Sequence, residues 1–209
     1  VTLDRVRLIE VEAELDVWMK YAAERHIYGV ILSYLQIRPK NFYRVETDVD
    51  GMRFVTERGW EDLGVLMQLY EELGIPVTEE VIGEYVRLPE VAEDFFAYYE
   101  LYRKYKDDYG ITEILQGEAP PAVYERLMRA GFDERLSVVN LLLDALKESF
   151  VELFATRRFT DTPQSDAAAR ALGNAFDFLE DAFGADGSQE MLLFVTGLTM
   201  CREAAVFLA

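Results

Sequence analysis

Along most of the chain apolar residues recur at helical spacing; strand-like alternation is confined to two short stretches. Between 13 and 24, Leu15, Trp18 and Ala22 fall on one face of a helix. A second run, 27–36, stops before Pro39, whose ring cannot continue a helix. From Trp60 to Leu73 the positions 60, 63, 67, 70 and 73 are apolar, and Gly74 ends the run. Thr78 suits the cap of a helix over 79–87, because its hydroxyl accepts an orphan backbone N–H. Pro89 opens a longer helix to about 108, with Val91, Phe95, Tyr98, Tyr102 and Tyr105 along one stripe. Further helices are predicted over 121–130, 133–158, 164–183 and 188–208. The stripes Leu136, Val139, Leu143, Leu146, Phe150, Leu153 and Leu172, Phe176, Leu179, Phe183 suit antiparallel helices crossing at shallow angles.

The alternation from Arg5 to Val11 predicts a half-buried strand within 3–11. Phe42–Thr47 and Met52–Thr56 flank Val49-Asp50-Gly51, and Asp-Gly favours a tight turn, so 42–56 is predicted to be a β-hairpin. The expected fold is mainly α: a helical region with a small β-hairpin, followed by an antiparallel helical bundle. Pro76 and the loop to Thr78 mark the first boundary, dividing the chain into 1–75 and 76–209; Gly117 to Pro121 is a second candidate.

Charge sharpens this division. The 209 residues carry a net charge of −18, but 1–60 are nearly neutral, with nine basic against ten acidic residues. The remainder holds twelve basic against twenty-nine acidic residues. Such a surface excludes a nucleic-acid binder, which needs a basic face. Hydrophobic residues at 51% exclude disorder as the default. The most apolar stretch, Met191–Ala209, is interrupted by Arg202 and Glu203 and reads as a buried helix, so no membrane span is expected. A single cysteine, Cys201, forms no internal disulfide, which fits a reducing compartment. With no signal peptide at its start, the chain is expected in the cytoplasm. It opens on Val1, and Leu3–Glu12 reads as the middle of a domain, so a longer parent protein is expected.

Little catalytic chemistry is visible. His26 is the only histidine, which excludes zinc sites built on a histidine pair, and it reads as a surface or helix-end residue. No metal site is assigned. No GxxxxGK[ST] is present to cradle a nucleoside triphosphate. The acidic pairs Glu71-Glu72, Glu79-Glu80, Asp107-Asp108 and Glu180-Asp181 point to different helix faces and read as solvated charges. Phe95, Phe96, Tyr98, Tyr99, Tyr102, Tyr105 and Tyr109 are expected to fill a helix–helix interface, with their hydroxyls reaching water at its rim.

Three local patterns carry a family resemblance. Leu3-Asp4-Arg5-Val6, followed by the alternating segment, is similar to the start of the last core strand in AAA+ modules. Trp18 in Leu15–Ala22, then Ile31-Leu-Ser-Tyr-Leu35 and Arg38-Pro39, is similar to the first lid helices. Phe54-Val-Thr-Glu-Arg-Gly-Trp-Glu-Asp-Leu63 resembles the "T-P-R-(S/G)-W" motif that opens the next lid helix. In this order and spacing, Leu3 to Gly74 resembles the carboxy-terminal lid of MoxR-like AAA+ ATPases, the branch often grouped with dynein-related AAA domains. The segment from 76 onward resembles acidic helical extensions on bacterial members.

The resemblance implies a lid coupled to an amino-terminal core of the same protein, which binds ATP and Mg and works as a homo-oligomeric ring. Relatives often pair with proteins carrying a von Willebrand factor A-type domain, as chaperone or metal-insertion partners. Arg58 falls on the sensor-2 arginine, which reaches a nucleotide phosphate on the core, and Arg5 on the arginine finger supplied in trans across the subunit interface. The sequence departs from the pattern at Glu57, where the family commonly has proline. Without its core the chain is expected to be catalytically inactive. A separate reading, from charge alone, is an acidic helical adaptor or scaffold that binds a basic partner and has no activity.

Overall fold

The computed structural model describes residues 12–48, 51–157, 161–184 and 188–208. The strand expected at 3–11, with Arg5, lies outside them, as does Asp50 of the expected turn. In chain order the elements are α1 (Leu15–Glu24), α2 (Gly29–Ile37), a 3-10 turn at Pro39–Asn41, β1 (Arg44–Asp48), β2 (Gly51–Val55) and α3 (Glu57–Glu72). They continue as α4 (Glu79–Tyr85), α5 (Pro89–Tyr109), α6 (Ile111–Gln116), α7 (Pro121–Arg129), α8 (Phe132–Thr156), α9 (Pro163–Phe183), α10 (Gln189–Met200) and α11 (Arg202–Leu208). Among the described residues the protein is mainly α with one antiparallel hairpin, in which Arg44 pairs with Val55 and Asp48 with Gly51.

Three elements differ from the sequence expectation. The helix expected from Trp60 starts three residues earlier, because the Thr56 hydroxyl caps it by accepting from Gly59 N. The punctuated stretch after Gly110 contains the short helix α6, enclosed by Gly110 and Gly117, both in left-handed backbone conformation. The single helix expected over 188–208 is two helices meeting at 95°. Cys201 sits at the break with extended backbone. The two arms pack separately: Phe194 and Leu198 are buried from α10, Ala204 from α11. Among the described residues no single helix is long and apolar enough to cross a membrane, and the bent α10–α11 pair meets the test only taken together.

At the centre lies α8. Every residue from Leu136 to Leu143 is buried, and α8 as a whole packs against α2, α5, α9, α10 and α11 among others. Apolar side chains buried to this degree each contribute about 1.5–3 kcal/mol relative to exposure, which makes α8 the main apolar anchor. The buried apolar residues form one cluster running from Trp18 to Ala204, and it crosses the position around Pro76 where the sequence suggests a boundary.

Two buried polar residues on α8 join its first turns to α2 through α5. Ser137 Oγ donates to the Asp133 carbonyl (2.7 Å), which can only accept. Tyr98 therefore donates to Ser137 Oγ (2.8 Å) and accepts from Ser33 Oγ (2.5 Å). Asn140 Nδ2 in turn donates to Ser33 Oγ (3.2 Å) and to Gln36 Oε1 (3.2 Å). The result is a one-directional chain of donors from Asn140 to Asp133. Burial pushes the Tyr98 phenol up to about 12, which keeps it neutral and able to donate.

Other tyrosines of the aromatic stripe behave likewise. Tyr102 donates to Asp144 Oδ2 (3.0 Å) and Tyr109 to Glu134 Oε1 (2.8 Å). The rings do fill a helix interface, but these hydroxyls close hydrogen bonds inside the protein instead of ending in water. Buried phenols need partners, and α2 and α8 supply them.

Candidate functional site

The amino-terminal end of α3 is where the sequence places Arg58, and three contacts hold it. The Thr56 cap fixes the first turn at 3.2 Å. Gly59 lets that turn close on α4, since a β-carbon there would stand 2.8 Å from the Tyr85 carbonyl oxygen. Trp60 is fully buried, and its Nε1 donates to the carbonyls of Asn41 and Phe42, both at 3.2 Å. Its ring lies 5.2 Å from Phe95 and 5.7 Å from Tyr34. Trp60 thus clamps α3 to the turn that leads into the hairpin, and the hairpin to the core.

Opposite this anchored face, Arg58 points outward with its side chain 86% exposed. The ion pair it makes among the described residues is with Asp62, one turn on, at 3.5 Å. Two exposed side chains in such a pair are held loosely, so the guanidinium is available to a better anionic partner. Glu57, beside it, does not take that role. Among the described residues its Oε2 is buried without a hydrogen-bond partner, at the edge of a groove of about 250 Å³ shared with Trp18, Tyr21 and Phe42.

Below Arg58 the same outward face is apolar. Val65 (62% exposed), Leu69 (47%) and Leu73 (63%) follow Asp62 at steps of three and four, so they lie in one line with the arginine. The buried residues Trp60, Leu63, Gly64 and Met67 occupy the opposite side. The helix is therefore apolar on two faces, one facing the core and one facing solvent.

A larger open groove, of about 420 Å³, lies between β2, α4 and α5 and is lined by Arg53, Glu79, Glu80 and Arg87 among others. Its charges are mixed, and Arg87 lies over the Phe54 ring, so it has no uniform field for an anion. Members of the acidic pairs make exposed contacts between helices. Glu71 accepts from Tyr28 (2.6 Å) and Lys106 (3.2 Å), and Asp108 from Arg126 (3.0 Å).

A second constellation has no counterpart in the sequence reading. His26, just past α1, has a left-handed backbone, with φ of 53°. Its carbonyl accepts from Gln68 of α3 (3.2 Å) and its N–H is donated to the Ala23 carbonyl (3.3 Å). So held, Nε2 comes within 3.6 Å of Glu203 Oε2. The thiol of Cys201, at the α10–α11 break, lies 3.6 Å from that same oxygen. The three ligand atoms fall within 4.8 Å of one another. These residues come from opposite ends of the chain, and only the packing of α1 against α10 brings them together.

In comparison with known proteins, no family model, curated protein or solved structure matches the chain.

Proposed function

We propose that this chain is the lid and helical carboxy-terminal part of a MoxR-like AAA+ ATPase. In this reading it couples ATP hydrolysis, in an amino-terminal core of the same protein, to the remodelling of protein partners. The observation that supports it is the arginine-headed face of α3. A sensor arginine must project from a rigid helix end toward a phosphate that another part of the protein holds. Arg58 has that form: a fixed backbone, an exposed guanidinium, and a helix amino terminus whose free N–H groups favour an anion. The apolar line Val65, Leu69, Leu73 beneath it gives the same face a surface suited to covering by protein.

The test is made on the parent protein, cloned with the coding sequence upstream of Val1. An in-frame GxxxxGK[ST] about one domain length before Val1 is expected. Arg58→Ala in that protein is expected to lower ATPase turnover by at least about tenfold, since arginines that stabilise phosphoryl transfer contribute factors of this size or more. Its melting temperature should stay unchanged. Absence of the motif, or full activity in the variant, refutes the reading.

The uneven charge favours a second reading, an acidic helical adaptor or scaffold for a basic partner. It requires binding that weakens steeply with salt and is indifferent to Arg58.

A further inference from the structure

We propose that His26, Cys201 and Glu203 form a binding site for zinc, or for another divalent cation that accepts sulfur and nitrogen ligands. Nothing in this depends on the ATPase reading.

The donor set is the first ground. Imidazole and thiolate together select zinc-like ions over magnesium or calcium, which take oxygen ligands, and a carboxylate completes a set that zinc commonly uses. The spacing is the second. Zinc binds sulfur at about 2.3 Å and nitrogen or carboxylate oxygen at about 2.0–2.2 Å, so tetrahedral angles separate S from O by about 3.5 Å and N from O by about 3.4 Å. Cys201 Sγ and His26 Nε2 each stand 3.6 Å from Glu203 Oε2. All three ligand atoms lie within 4.8 Å of one another, so modest side-chain rotations bring them onto one cation.

The surroundings are the third ground. Cys201 is fully buried and the Glu203 side chain is 13% exposed, while the His26 side chain is 41% exposed, which gives an entry path for the ion. Arg202, between the two carboxy-terminal ligands, is turned away onto the Phe154 ring at 5.6 Å, so its charge is not directed at the site. The His26 backbone is pinned by Gln68 and Ala23 in a conformation that residues with a side chain seldom adopt. Three protein ligands leave a fourth position for water or for a group from a partner, the arrangement of an open zinc site and not of a closed structural one. The cation would tie α1 to the α10–α11 corner, joining the two ends of the described chain.

The experiment is zinc titration of the 209-residue protein in competition with a chromophoric chelator, repeated with cobalt as a spectroscopic probe. The expected result is one equivalent of zinc per chain and a near-ultraviolet thiolate-to-cobalt charge-transfer band. His26→Gln and Cys201→Ser should each weaken zinc by at least about tenfold, as even outer-shell partners of metal ligands do. Cobalt bound to Cys201→Ser should lack the charge-transfer band. His26 is exposed, so its variant should melt like the wild type in the absence of metal and report on binding alone. No stoichiometric zinc on the wild type, or zinc equally tight in both variants, overturns the site.

Discussion

The donor chain through Tyr98 makes a sharp test of what holds α2, α5 and α8 together. Tyr98→Phe removes one oxygen and leaves the ring, and the shape of the site, unchanged. Two hydrogen bonds are lost, to Ser33 at 2.5 Å and Ser137 at 2.8 Å. Each is worth about 1 kcal/mol net. Ser33 is fully buried and, in the direction deduced for the chain, loses its acceptor, which adds a desolvation cost of about 1 kcal/mol or more. The expected loss is about 3 kcal/mol, or roughly 6–12 °C in Tm for a chain of this size. Urea unfolding followed by the fluorescence of Trp18 and Trp60 measures it, with m unchanged. Exposed Tyr43→Phe serves as a control and should stay within about 0.5 kcal/mol of wild type. Because the penalty comes partly from the stranded Ser33 hydroxyl, Ser33→Ala in the same chain should recover part of it, giving a non-additive cycle. Strict additivity, or a Tyr98→Phe loss below about 0.5 kcal/mol, would refute the deduced direction and the coupling across these helices.

Helix propensity alone favours Gly29→Ala by up to about 1 kcal/mol, yet the β-carbon would overlap the Asp144 carboxylate. A loss of about 1–3 kcal/mol is expected instead, with Asp144→Ala in the same chain relieving it, measured by urea unfolding. Burial raises the Asp144 carboxyl above its ordinary value, so the folded state holds that proton to higher pH than the unfolded state. Its contribution to stability therefore falls as pH rises from about 4 through the folded-state value, and Asp144→Asn should remove that slope from a stability-against-pH series. Replacing Leu69 by Ser on the exposed face of α3 should change the 209-residue chain by no more than about 0.5 kcal/mol, whereas under the proposed ATPase reading it should weaken nucleotide-dependent assembly of the longer protein seen by light scattering.

Most helices were legible because an amphipathic helix writes its period into the chain. The 4-3 stripes on α5, α8 and α9 and the Thr78 and Pro89 starts all correspond to observed elements. The hairpin was legible from alternation around Asp50-Gly51. What misled was the evenly apolar end: between 188 and 208 the pattern shows no interruption that a helix could not absorb, and the break at Cys201 exists because each arm finds its own packing surface. The tyrosines misled for a related reason. A sequence shows that a phenol is present, but not that Ser33, Ser137 and Asp144 stand on neighbouring helices to pair with it.

At the candidate sites the same division holds. The motif was enough to put Arg58 near the start of α3, because that depends on residues within a few positions, but the Thr56 cap that sets where the helix begins went unread. The outward course of Val65, Leu69 and Leu73 needed the fold, since a helix with two apolar faces does not reveal which one the core covers. His26, Cys201 and Glu203 needed it entirely. Their meeting depends on α1 packing against α10 and on the right-angle corner into α11, contacts between segments far apart in the chain that leave no mark in local spacing.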